Sequence, residues 1–102
     1  MTKVSILYPR AEGSTFDMDY YLTKHIPMCE RLFGPALRKA EVDEGVGGGL
    51  PGSASPFVAA VHLYFDSVDA FYAAFGPHAA EILGDVPKYT NIKPLTQISK
   101  VR

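Results

Sequence analysis

The sequence predicts an α+β domain in the order strand, helix, strand, strand, helix, strand. Three observations predict it. KVSILY near the start and FVAAVHLYF at 57–65 have the length and β-branched or alternating character of strands. Segments near 17–33 and 67–75 place apolar residues three and four apart behind capping residues, as amphipathic helices do. The 102 residues are 47% hydrophobic, which supplies one core and no second domain, so residues 1–102 form a single unit.

Lys3 to Tyr8 is closed as a strand by Pro9 and Gly13. Thr15 or Asp17 can cap a helix running to about Phe33, where Gly34 and Pro35 stop it. Its expected buried stripe is Tyr21, Leu22, His25, Met28, Cys29 and Leu32. Pro27 removes a backbone donor and crowds the carbonyl of Thr23, so the helix either bends after His25 or ends and restarts with Pro27 in a first turn. Leu37 to Glu44 is polar enough for an edge strand.

GVGGGLPGSASP, residues 45–56, holds five of the nine glycines, yet Leu50 stands where a dinucleotide fingerprint needs glycine and no Lys-Ser or Lys-Thr follows. It is expected to be a hairpin connection. In 57–65, Phe57, Ala59, Val61, Leu63 and Phe65 share one face and Val58, Ala60, His62 and Tyr64 the other, both largely apolar. Asp66 and Ser67 cap the next helix, whose stripe is Val68, Phe71, Tyr72 and Phe75, ended by Gly76 and Pro77. A short helix over His78–Leu83, a turn at DVPKYTN and a last strand over Ile92–Val101 complete the chain. This order is the ferredoxin-like βαββαβ arrangement, an antiparallel sheet with both helices on one face. The other face carries Val58, Ala60 and Tyr64, and a bare apolar surface there predicts a homodimer packed sheet against sheet.

Ten basic and eleven acidic residues leave a net charge of −1 with no Lys/Arg cluster, which argues against nucleic-acid or anionic-membrane partners. Cys29 is the sole cysteine, so no internal disulfide forms. MTKVSILYPR lacks the apolar run of a signal peptide or membrane span, and a cytoplasmic location is expected.

FDMDYYLTKHIPM, FVAAVHLYFDSVDAFYAAF and ILGDVPKYT resemble the EthD family of the dimeric α/β-barrel superfamily over nearly the whole chain. The most specific part is Tyr21, His25 and Pro27; Asp85 and Tyr89 also match the family's Asp-Val-Pro region. The resemblance implies a ferredoxin-like fold whose dimer closes into a barrel, with a pocket between sheet and helices in each subunit. Across the superfamily it implies cofactor-free monooxygenases, lactone isomerases, polyketide cyclases and haem-handling enzymes; within EthD, an association with breakdown of ethers and other organic compounds.

Tyr21 and His25, four apart on a helix, can meet with phenol hydrogen-bonded to imidazole, a pair suited to proton transfer because histidine titrates near neutrality. These are the candidate catalytic residues, the alternative being a histidine that caps a carbonyl freed by Pro27. Tyr20 points about 100° round the helix and suits the rim or surface packing. Tyr8 ends a strand where it can reach the same pocket, and Tyr89 can close the pocket from the far side. Asp85 can accept from His25 or from its own turn, which Asp-x-Pro sequences favour. His62 is the remaining candidate for substrate binding, against an interface role facing the dimer barrel. Cys29 reads as a buried inert thiol. His78 and Glu81 lack a third ligand at a recognisable spacing, so no metal is expected; haem has no signature beyond an available histidine, so no cofactor is expected. The expected function is a cofactor-free enzyme acting on a hydrophobic, oxygen-bearing small molecule by oxidation, isomerisation or cyclisation. The alternative is a non-catalytic binding or accessory protein of a degradation pathway, and a purely structural dimer is a third.

Overall fold

The computed structural model describes residues 1–102. Four strands, β1 (Thr2–Pro9), β2 (Lys39–Glu44), β3 (Phe57–Phe65) and β4 (Leu95–Lys100), form one antiparallel sheet in the order β2-β3-β1-β4. The connections are α1 (Met18–Tyr20) leading through a π turn (Tyr21–His25) into α2 (Ile26–Phe33), and α3 (Val68–Phe75) leading through a 3-10 turn into α4 (Ala79–Asp85). This is the expected ferredoxin-like α+β architecture.

Register decides what the helices cover. Val4 lies between Leu63 and Ile98, and Ile6 between Val61 and Thr96, so these side chains share the face beneath the helices. Val4, Val61 and Phe65 are almost wholly buried there. Phe65 meets Phe33 of α2 edge-on at 5.4 Å between ring centroids and Phe71 of α3 at 5.2 Å, which ties both helical layers to the central strand.

Asp17 caps α1, its carboxylate accepting from the Tyr20 amide at 3.0 Å, and Ser67 caps α3 in the same way. Pro27 neither breaks nor stops the first helical segment. The backbone is right-handed helical on both sides of the π turn, and the Ile26 amide reaches back five residues to the Tyr21 carbonyl. Widening the turn just before the proline relieves the crowding its ring would cause in a regular α-helix, and Pro27 then sits in the first turn of α2. The extra residue in that turn rotates the stripe: Tyr21, His25, Ile26, Cys29 and Phe33 are buried, while Leu22, expected inside, is exposed.

The glycine-rich segment 45–56 is the β2–β3 connection, without a following helix. Its base is held by Arg10, whose guanidinium donates to the Ser55 carbonyl at 2.9 Å and Ser55 Oγ at 2.8 Å. The face of the sheet turned away from the helices is more polar than expected. His62 Nδ1 pairs with Ser5 Oγ at 2.8 Å, its Nε2 lies 3.4 Å from Asp43, and Tyr64 donates to Glu41 at 2.7 Å. Val58 and Ala60 are half-buried beside these groups, and Leu7 pairs with Ala60 on one side and with the exposed Leu95 on the other.

Candidate active site

Two loop segments are laced together before the site is formed. The Asp17 amide donates to the Tyr89 carbonyl at 2.7 Å, Phe16 bridges Thr90, and the Thr90 hydroxyl donates to the Thr15 carbonyl at 2.6 Å. This lacing fixes the start of α1 against the end of the α4 segment, and so sets Tyr89 against His25 and Tyr20 near Asp85. The ring centroids of His25 and Tyr89 are 4.6 Å apart.

His25 is buried, and its Nδ1 lies 2.9 Å from Asp85 Oδ2. The other carboxylate oxygen accepts from the Tyr20 hydroxyl at 2.8 Å, and the Lys88 ammonium stands 3.7 Å from it. Burial works to raise the Asp85 carboxyl, but the hydrogen bonds from His25 and Tyr20 and the nearby positive charges outweigh it and hold the group below its ordinary value. Asp85 is therefore an anion at neutral pH, and Nδ1 must carry the proton between them. In the neutral imidazole this leaves Nε2 as an acceptor. Its neighbours are the Tyr89 hydroxyl at 3.5 Å, long for an O–H···N bond, and the Cys29 thiol at 3.6 Å, an ordinary reach for a weak S–H donor that a better donor can displace.

His25 lines a cavity of about 410 Å³ between the inner face of the sheet and the helices, and the residues next to its Nε2, Tyr89 and Cys29, line it too. Tyr8, Tyr21, His25 and Tyr89 all line it, and the rest of the wall is mainly aliphatic and aromatic. Tyr72 and Leu83, which also line it, are more than half exposed and mark its opening beside α3 and α4. Tyr8 and Tyr89 share a hydrogen bond of 2.7 Å between hydroxyls. Burial pushes all three inner phenols, Tyr8, Tyr21 and Tyr89, upward, so they are neutral hydrogen-bonding groups and not phenolates. The cavity is of the size and polarity that hold small organic ligands.

The sequence-derived candidates divide on this geometry. His25, Tyr21, Tyr8 and Tyr89 converge. Tyr21, however, does not hydrogen-bond the imidazole; its ring stacks on it, with centroids 5.5 Å apart and planes 16° from parallel. Asp85 is more than a turn residue, because its carboxylate is spent on His25 and Tyr20. His62 belongs elsewhere: strand alternation puts it on the face of the sheet opposite the cavity. Tyr20, expected at the rim or on the surface, is the partner of Asp85 that local spacing missed. No three His, Cys, Asp or Glu side chains come together as a ligand set.

Burial, together with the negative charge of Asp85, pushes the Cys29 thiol up to about 12. The folded protein should react with a thiol reagent orders of magnitude more slowly than the urea-unfolded chain; equal rates would show that Cys29 is open and activated.

A family model of the EthD domain matches residues 13–93. An EthD-like protein of Ralstonia eutropha JMP134 is 43% identical, with a TM-score of 0.94 over 98% of this chain and 90% of that one. An ethyl tert-butyl ether D (EthD) family protein of Bacillus halodurans C-125 is 22% identical, with a TM-score of 0.65 over 100% of this chain and 99% of that one. A candidate monooxygenase of Shewanella loihica PV-4, 12% identical with a TM-score of 0.58 over 100% and 97% of the two chains, shares the fold alone. No curated protein matches the sequence. The matched domain spans the capped first helix, the π turn with His25 and the Asp85–Tyr89 turn, and the chain belongs to the EthD family.

Proposed function

We propose that this protein is a cofactor-free enzyme that removes or returns a proton on a hydrophobic, oxygen-bearing small molecule, with His25 as the base. One observation carries the proposal: Nδ1 is tied to an ionised Asp85, while the imidazole lines an apolar cavity with Nε2 beside two other lining residues, Tyr89 and Cys29. Asp85 fixes the tautomer and favours the imidazolium that forms; the Tyr89 hydroxyl, oriented by Tyr8, donates to the ligand oxygen; Tyr21 holds the imidazole plane by stacking. Oxidation, isomerisation and cyclisation of such a molecule can all begin with this proton removal. No helix is long and apolar enough to cross a membrane, and we place the protein in the cytoplasm as a homodimer joined through the open sheet faces.

A second reading, a binding or accessory protein, is favoured by the depth of His25, which is 4% exposed. The two readings part on His25→Ala. Candidate ligands are first found by thermal shift, where one at 100 times its dissociation constant adds about 2.7 kcal/mol. In an enzyme the substitution should lower turnover of the ligand by about 10²- to 10⁴-fold with affinity kept within about tenfold. Turnover unchanged by the substitution would remove His25 from the chemistry, and a ligand held but never converted by the native protein would favour the binder.

A further inference from the structure

We propose that the molecule held under His25 is uncharged and carries one weakly acidic hydroxyl, a phenol or an enol, which the site ionises. The inference rests on the reading of the cavity just given and adds the class of ligand.

The wall decides the charge. No Lys, Arg, Asp or Glu lines the cavity, so a ligand carboxylate, phosphate or ammonium would enter without a counter-ion, and burying an unpaired charge is strongly unfavourable. Asp85 cannot serve a cationic ligand, because it stands behind the imidazole and its oxygens are taken by His25 and Tyr20.

The polar groups decide the functional group. Those at the imidazole are Nε2, an acceptor, the weakly donating Cys29 thiol at 3.6 Å, and the Tyr89 hydroxyl, which has one hydrogen to give when Tyr8 donates to it. The 3.5 Å between Nε2 and the Tyr89 hydroxyl is long for a direct bond, and that hydroxyl can turn its hydrogen to a ligand atom that also reaches Nε2. An ether or ketone oxygen accepts from Tyr89 but offers Nε2 nothing; a hydroxyl satisfies both.

The step balances without a co-reactant. The ligand O–H bond breaks, an N–H bond forms at Nε2, and the electron pair stays on the ligand oxygen. The imidazolium then lies between two anions, the Asp85 carboxylate and the ligand oxyanion. The proton has only moved from ligand to imidazole, so the net charge of the site is unchanged, with Tyr20 donating to the first anion and Tyr89 to the second. At ~30 Å³ for each water-sized group, about 410 Å³ admits on the order of a dozen heavy atoms, the size of a bicyclic phenol.

The test uses three coumarins that share one bicyclic core: 7-hydroxycoumarin, 7-methoxycoumarin, which has no O–H, and coumarin-3-carboxylate, which is charged. Binding is followed by thermal shift and absorbance, at a slightly acidic pH where free 7-hydroxycoumarin is mostly protonated. The hydroxy compound should bind at least tenfold more tightly than either of the others and show the absorbance band of its anion when bound. His25→Gln should abolish that band. Equal binding of hydroxy and methoxy compounds, carboxylate binding as tight as hydroxy, or a bound hydroxy compound that stays protonated would each overturn the inference while leaving the cavity as a ligand site. Failure of all three to bind would strike at the cavity reading itself. The native-protein comparison stands whether or not the glutamine variant folds.

Discussion

Phe65→Ala should lower the stability of the fold by about 3–5 kcal/mol, the usual cost of truncating a fully buried phenylalanine when its surroundings cannot collapse into the space. Phe65 has no exposure, and it is the last residue of β3, where Phe33 and Phe71 both close on its ring. Neither neighbour is free to follow: Phe33 ends α2 and Phe71 sits one turn inside the Ser67 cap. The loss would appear in urea unfolding as a lower midpoint with an unchanged slope. Phe65→Leu should recover more than half of it, and Leu22→Ala, at an exposed position, should stay within about 0.5 kcal/mol of the parent. A Phe65→Ala protein as stable as the parent would mean that the two helical layers are not joined through this ring.

The elements governed by local periodicity were legible. Strand β3 falls on Phe57–Phe65 because its alternation is unbroken and glycine, proline and a capping serine bound it. The last strand starts at Leu95 and not at Ile92, since the segment before it is drawn off by Asn91, which binds the Thr15 amide and the Gly13 carbonyl, and Pro94 has no amide to give the ladder. The short helix begins at Ala79 because Pro77 opens a 3-10 turn through His78, and it runs on to Asp85. The open sheet face was legible only in part: Val58 and Ala60 are there, with Leu7 and Leu95 next to Ala60, while cross-strand partners from β1 and β2 bring Ser5, Glu41 and Asp43 beside His62 and Tyr64, a grouping that only register reveals.

Half of the site was legible for the same reason. Tyr21 and His25 are close in sequence, and Tyr8 and Tyr89 occupy element ends that face the cavity. The pair that gives the histidine its character was not. Asp85 is sixty positions from His25, and its Asp-x-Pro context points to a turn; the turn does form, as Val86–Lys88, with the carboxylate facing the other way. The π turn escaped because a search at 3.6 residues per turn assigns each side chain to a face that the extra residue then shifts. Pro27 was its one outward sign. Tyr20, placed by such a wheel on the surface, instead reaches Asp85 with its hydroxyl.

Asp85→Asn should have the second large effect, and one that changes with pH. The carboxyl is held below its ordinary value of 3.8 in the folded protein, so the folded state binds this proton less readily than the unfolded chain does. The stability it contributes is therefore present above that ordinary value and is lost as pH falls through the lower folded one. At neutral pH the asparagine variant should be less stable by about 1–3 kcal/mol, because the charge-assisted bonds to His25 and Tyr20 become neutral ones. As pH falls from 3.8 through the lower folded value the gap should narrow and close, since the unfolded chain takes up this proton first and the folded carboxyl only later. The chemistry should suffer separately. An amide can accept from Nδ1–H, but it offers no anion to favour the imidazolium, so proton removal by Nε2 should slow by about 10²- to 10⁴-fold while ligand affinity changes little. Denaturant titrations of both proteins between acid and neutral pH measure the first effect, and anion formation from bound 7-hydroxycoumarin measures the second. A stability gap that does not narrow in acid would mean that Asp85 is not held as an anion by its neighbours. Retention of the anion band in the variant would mean that His25 works without it.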